Sequence, residues 1–269
     1  MKYFFTLLGV ATFVVILFAF KEEPIIKKSF EERMILNSTD IKDSDVEKVL
    51  NVFAKGEKGN KEVVDEVREV DAFKDISSQN AIKVKLVKGQ KQKVVVRTDS
   101  NLQDNIITEV KDGKLKIYVK DKIRKYTEMT VFVTFTELES LSSSSASEIT
   151  CEDKIVASSF YIQSSSASSI DLKSLEANTV EIDVSSAANV RVSGKCEELK
   201  VDASSASSAK LYDLIATNVD ADASSAAHIE VYAVSKLDAD ASSGADIEYK
   251  GDPEFVNRDE SSGGDVSVH

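Results

Sequence analysis

The stretch Leu199-Lys200-Val201-Asp202-Ala203-Ser204-Ser205-Ala206-Ser207-Ser208-Ala209-Lys210-Leu211 alternates apolar and polar residues on either side of a small-residue run. A period of two marks a strand with one buried face, so the passage predicts two short strands joined across a bend. The pattern recurs. Ser-Ser-(Ala or Gly)-x-x-apolar occurs seven times, with its third residue at Ala146, Ala167, Ala187, Ala206, Ala226, Gly244 and Gly263. The intervals of 21, 20, 19, 20, 18 and 19 residues are too short for helix-pair repeats and fit one winding of a β-solenoid.

The flanking alternation is repeated as Val219, Ala221, Ala223, Ile229, Val231 and as Leu237, Ala239, Ala241, Ile247, Tyr249. One copy buries too little to stand alone. Stacking coils in register sets equivalent residues ~4.8 Å apart and pairs backbone groups between coils; seven coils then form a column roughly 34 Å long. The stacking predicts a serine file through Ser185, Ser204, Ser224, Ser242 and Ser261, with hydroxyls free to bond along the column. It also assigns the small residues to crowding where the backbone bends. A Ser-rich linker would lack the phased apolar positions.

The 269 residues allow one or two domains, and the mixture of 42% apolar residues, no Trp and only Pro24 and Pro253 suits a thin solenoid core. The net charge of −12, without clustered Lys and Arg, argues against nucleic acid as a partner. Tyr3 to Phe20 is an uncharged run of eighteen residues after Met1-Lys2. At ~1.5 Å per residue such a helix nearly crosses a ~30 Å hydrocarbon core. Residues 1–20 therefore read as a hydrophobic export segment, either an uncleaved membrane anchor or a signal peptide; no small-x-small cleavage site surrounds Ala19-Phe20-Lys21. Both readings put the rest outside the cytoplasm, in the periplasm or at the cell surface, the anchor holding it to the inner membrane.

Residues 21–66 read as a charged linker, with a capping box at Ser44-Asp45-Val46-Glu47 opening a short helix over 44–55. Residues 67–136 read as strands that cap the column: Ile82, Val84 and Leu86 alternate with lysines, and Lys111-Asp112-Gly113-Lys114 signals a hairpin. The repeat column occupies 137–269. Cys151 and Cys196 fall in the first and third coils, about 9.6 Å apart by coil spacing, beyond the ~7 Å reach of a disulfide. They read as two unpaired thiols, Cys151 in an interior slot.

Two residues before each Ser pair in five consecutive coils stand Asp183, Asp202, Asp222, Asp240 and Asp259, and two residues earlier come Asp220 and Asp238. Alternation points them outward, so Asp220, Asp222, Asp238 and Asp240 share a face. Each like-charged neighbour at ~4.8 Å costs about 0.9 kcal/mol even in bulk water. A Ca²⁺ ion would offset that repulsion, although the loop geometry of known Ca²⁺ repeats is absent. A solvated acidic face is the simpler reading. Tyr212 and Tyr232 occupy equivalent places in successive coils by count, as a glycan-stacking platform or an apolar rung. No Gly-x-Ser-x-Gly motif accompanies the serines; His228 takes an ordinary outward slot, and no convergent acid and base stand out.

Further resemblance lies in the run Arg68 to Ile76, in Ala81-Ile82-Lys83-Val84-Lys85-Leu86-Val87-Lys88-Gly89, in Asn101-Leu102, in Asp112-Gly113-Lys114-Leu115-Lys116-Ile117 and in Leu138-Glu139-Ser140-Leu141. In these segments the chain resembles the bacterial auto-transporter adhesin head GIN domain family (DUF2807), over about residues 67–268. The resemblance implies an all-β, right-handed parallel β-helix (β-solenoid, pectin-lyase-like), here of about seven coils behind the N-terminal β-rich cap and the hydrophobic helix. It implies no catalytic residues and a role in adhesion. Ser-Ser-Ala replaces the family's glycine-rich corner in the first five coils, which puts a Gly-dependent turn there in question. The reading is an exported cell-envelope adhesion or scaffolding surface with a cell-surface glycan or protein as partner. A divalent-cation- or glycan-binding periplasmic module is the second reading and a carbohydrate-active enzyme the third.

Overall fold

The structure is a computed structural model that describes residues 56–269. The expected hydrophobic helix at 1–20 and the capping-box helix at 44–55 lie outside the described residues. Among the described residues, no helix is long and apolar enough to cross a membrane. Strand structure begins inside the expected linker: Glu57–Lys58 pairs parallel with Ile123–Lys125, and Val63–Arg68 pairs antiparallel with Lys93–Asp99.

The fold is all-β, with solenoid-like stacking of about six turns. Long bent strands, Ser169–Val184, Asn189–Ala203, Ser208–Ala223 and His228–Ser242, pair parallel with their neighbours in register. Ile170, Val190, Ala209, Ile229, Ile247 and Val266 form one interior file, and Ile162, Ile182, Val201, Ala221 and Ala239 another. These positions are buried, as the period-two alternation requires. Seven copies of the motif make seven corners, which bound six complete windings.

At every corner the second serine and the Ala or Gly after it both have positive φ, from Ser145 (53°) and Ala146 (61°) to Ser262 (50°) and Gly263 (80°). At six of the seven corners, all but Ser204–Ser207, the residue after the pair donates its N–H back to the first serine's carbonyl, as from Ala188 to Ser185 at 3.1 Å and Gly264 to Ser261 at 2.9 Å. Two consecutive left-handed residues inside such a bond are the requirement of a type I′ turn. Corners also bond to one another: the N–H groups of Ala146, Ala167, Ala187 and Ala206 donate to the carbonyls of Ser166, Ser186, Ser205 and Ser225. The Ser-Ser-Ala coils therefore make the same turn as the glycine coils.

This arrangement corrects the crowding account of the third residue. Ala146, Ala167, Ala187, Ala206 and Ala226 are exposed, and a Cβ built on Gly244 or Gly263 meets nothing within 4 Å. Left-handed backbone, hostile to β-branched side chains, selects the small residue there. Crowding acts one residue later, where Ser147, Ser168, Ala188, Ser207, Ala227 and Ala245 are buried and a Cβ on Gly264 would meet the Ala241 carbonyl oxygen at 2.3 Å.

An eighth corner, with Asn80 and Ala81 at φ 64° and 57°, precedes the seven. Its flanking strands, Asp75–Ser78 and Lys83–Lys88, stack directly on Ser140–Ser143 and Glu148–Cys151. A 65-residue gap to the next corner, at Ala146, hides this coil from the repeat spacing, because the chain leaves the column to build the cap. Lys114–Val119 and Met129–Phe135 return beneath the first coil as parallel partners, and the Asp112-Gly113 hairpin forms as expected. At the other end Arg258 and Glu260 take the slots of Ala239 and Ala241. Arg258 stacks over Tyr249 and donates to its hydroxyl and, at 3.2 Å, to the Val266 carbonyl, while Phe255, Val256 and Val268 on the last strands are exposed.

Candidate functional site

Register brings the predicted aspartates together. Asp183, Asp202, Asp222, Asp240 and Asp259 are directly paired in successive coils, and Asp220 lies opposite Asp238 beside them. Asp183, Asp202, Asp222 and Asp240 border a shallow groove of about 350 Å³ whose other wall is Ser185, Ser204, Ser224 and Ser242. Ser185, Ser204, Ser224 and Ser242 each follow one of the register-matched residues Val184, Ala203, Ala223 and Ala241, and Ser242 pairs with Ser261. Backbone bonds link these coils, such as Ser204 N–H to the Val184 carbonyl at 2.9 Å.

Hydroxyl bonding between coils comes instead from the buried residue after the corner, which the sequence reading did not single out. The Oγ of Ser147, Ser168 and Ser207 donates to the carbonyls of Ser78, Ser143 and Val184 in the preceding coil, at 2.9, 2.8 and 3.0 Å. Its signal was available: a polar residue in phase with the apolar face must find a partner when buried.

The acidic file is unevenly neutralised. Lys200 pairs with Asp202 at 3.3 Å, Lys236 with Asp238 at 3.8 Å, Asn257 donates to Asp238 at 2.8 Å, and the Tyr161 hydroxyl donates to Asp183. Asp222 lies among other carboxylates. Burial first, then the charges of Asp202 and Asp220, a hydrogen bond with Asp202 and the charge of Asp240, push its carboxyl up from 3.8 to about 6. Below about pH 6 a proton on Asp222 relieves the crowding of charge.

Tyr212 and Tyr232 do not form the expected rung. Between Leu211 and Ile215 the register slips, so that Ile215 lies opposite Tyr232 and Tyr212 is lifted into the excursion. Counting residues missed the slip because coils of 18 to 21 residues absorb their length differences at this second bend. Neither ring is a core residue; both are half-buried. Tyr212 lies under Lys250, whose Nζ is 4.0 Å from the ring centroid, and meets His269 with centroids 4.9 Å apart. Its hydroxyl donates to Glu248 at 2.7 Å.

Beside Tyr212, on the strand that follows the corner, His228 lies opposite Asp246 and Glu230 opposite Glu248. His228 Nδ1 is 2.9 Å from Asp246 Oδ2, its Nε2 is 3.2 Å from Glu230 Oε1, and His269 Nδ1 is 3.1 Å from Glu248 Oε2. Bonds from Tyr212 and His269 hold the Glu248 carboxyl below its usual range. The two histidines, unremarkable by sequence position, converge through stacking. Cys151 and Cys196 are free and buried, and burial pushes their thiols up to about 11 and about 12, which leaves them as unreactive interior groups.

The family profile described as "Putative auto-transporter adhesin, head GIN domain" matches residues 72–253. The chain belongs to this family. Among solved structures, a "putative adhesin" from Bacteroides fragilis superposes on this head GIN chain with a TM-score of 0.76 at 18% identity, covering 80% of this chain and 100% of that one. A "putative lipid binding protein" from Parabacteroides distasonis gives 0.65 at 20% identity with the same coverage. A "putative adhesin" from Parabacteroides merdae gives 0.66 at 15% identity, covering 80% and 99%. At these identities the likeness establishes the fold. A search of curated proteins returned no match.

Proposed function

We propose that this head GIN domain is an exported, non-catalytic adhesion or scaffolding surface of the cell envelope, wound as a right-handed, pectin-lyase-like column. A right-handed winding follows the rule for parallel crossovers. The observation that carries the function is the aspartate file: five carboxylates repeated at coil spacing along one side, next to a groove floored by small residues. Such a face offers many equivalent weak contacts to an extended partner, a cell-surface glycan or protein, and rigid spacing adds them up as avidity. The family's description and those of two neighbours support the adhesion reading and the export of the domain.

A surface of this kind is tested by retention of the full chain on immobilised bacterial envelope fractions. Neutralising Asp202, Asp222 and Asp240 together to asparagine is expected to cut retention tenfold or more at low salt, with the loss shrinking as salt screens the face. Equal retention by wild type and triple variant at all salt concentrations would overturn the role of the file.

The raised Asp222 carboxyl favours one second reading, a Ca²⁺ ion bridging Asp220, Asp222, Asp238 and Asp240. Millimolar CaCl₂ then raises the melting temperature of wild type and not of an Asp222→Asn, Asp240→Asn variant. No shift in either would remove this second reading.

A further inference from the structure

We propose that His228, Asp246 and Glu248 form a binding site for a first-row divalent metal ion of the Zn²⁺ class, built on the strands that follow the corners of two successive coils. The site is separate from the aspartate file, which lies on the strands before the corners, and does not depend on the adhesion reading.

Three observations carry it. One donor atom from each of the three side chains lies within 4.8 Å of the others, a spread that small rotamer changes reduce to the separation of ligands bound at ~2.0–2.2 Å. The scaffold is rigid: His228 and Asp246 are register partners, and Glu248 lies two residues along the same strand, so all three point to one face. The side chains are 32%, 39% and 33% exposed, which leaves room for water to complete the coordination.

The contacts of the imidazole are compatible with this geometry. Both nitrogens of His228 face carboxylate oxygens, Nδ1 toward Asp246 and Nε2 toward Glu230. A ring with one N–H donates to only one of them, and the other contact calls for a second proton or a metal ion. A metal ion between Nδ1, Asp246 and Glu248 leaves Nε2–H to donate to Glu230. That is the carboxylate–histidine–metal arrangement in which an outer carboxylate fixes the tautomer. Tyr212 and His269 play the corresponding part for Glu248, each bonding its Oε2. A nitrogen ligand beside two carboxylates suits Zn²⁺ or a neighbouring transition metal and selects against Ca²⁺, which prefers oxygen alone.

A second proton on His228 would satisfy the same two contacts, and metal binding separates the alternatives. The full chain is dialysed against ZnCl₂, with CaCl₂ as competitor, in an Asp222→Asn, Asp240→Asn background that silences the aspartate file. About one zinc per chain is expected, undisplaced by calcium, and Co²⁺ in place of zinc should give visible d–d absorption. His228→Ala and, separately, Asp246→Asn should each lower affinity at least tenfold with unchanged circular dichroism, and Glu230→Gln should lower it about 10- to 100-fold as an outer partner does. No stoichiometric zinc, displacement by calcium, or folded His228→Ala and Asp246→Asn variants that bind as wild type would each overturn the proposal.

Discussion

Replacing Asp222 by asparagine removes a charge that the folded chain holds at a disadvantage, so it stabilises the protein in a pH-dependent way. The carboxyl is raised from 3.8 to about 6 by burial and by Asp202, Asp220 and Asp240. Two pK units correspond to about 3 kcal/mol between protonation states, and partial solvent exposure reduces this to roughly 1–1.5 kcal/mol. The folded state keeps the Asp222 proton to higher pH than the unfolded chain does. Its stabilising contribution is therefore full below about pH 4 and lost as pH rises through about 6. Thermal melts of wild type and Asp222→Asn between pH 4 and 8 should coincide at the acid end and separate toward neutrality. For a chain of this size the variant should melt roughly 2–6 °C higher at pH 7, with a smaller gain in 1 M salt. A variant that melts no higher than wild type at pH 7, or whose gain is largest at pH 4, would refute the reasoning.

Asp99 behaves in the opposite sense. Burial opposes its charge, but hydrogen bonds from the backbone and hydroxyl of Thr127 and the backbone of Lys61 outweigh it and lower its carboxyl. Its contribution is present above the unfolded value near 3.9 and fades as pH falls below it, and Asp99→Asn should cost about 2–3 kcal/mol in urea unfolding at pH 7. At the corner, Ala206→Asn should be neutral within about 0.5 kcal/mol, since asparagine accepts left-handed backbone, whereas Ala206→Val should cost about 1–2 kcal/mol; equal losses would restore the crowding account. Gly194 has φ 140°, and a Cβ there would meet the Leu175 carbonyl oxygen at 2.0 Å, so Gly194→Ala should lose about 2–4 kcal/mol. A loss below 0.5 kcal/mol would show that the second bend relaxes more freely than its geometry implies.

The column was legible in the sequence because one periodicity controls both burial and register. Val201, Ala221 and Ala239 had to face inward, and Asp202, Asp222 and Asp240 had to face outward in one file. Conformation at the corner was less legible: small size is compatible with crowding and with positive φ, and only the open space beside Gly244 and Gly263 decides between them. Tyr212 and Tyr232 were misplaced because a register slip leaves no mark in the alternation. His228, Asp246 and Glu248 were passed over because each looks ordinary within its own coil, and their meeting is a property of the stack.

The stacking itself is open to one direct measurement. In a background of Cys151→Ala and Cys196→Ala, spin labels are placed at Ser144 paired in turn with Ser224, Ser242 and Ser261, which lie four, five and six coil steps along the file. Pulsed dipolar spectroscopy should return narrow distances near ~19, ~24 and ~29 Å, rising by ~4.8 Å per coil after a constant label offset. Distances that fail to grow linearly with coil number would contradict parallel in-register stacking.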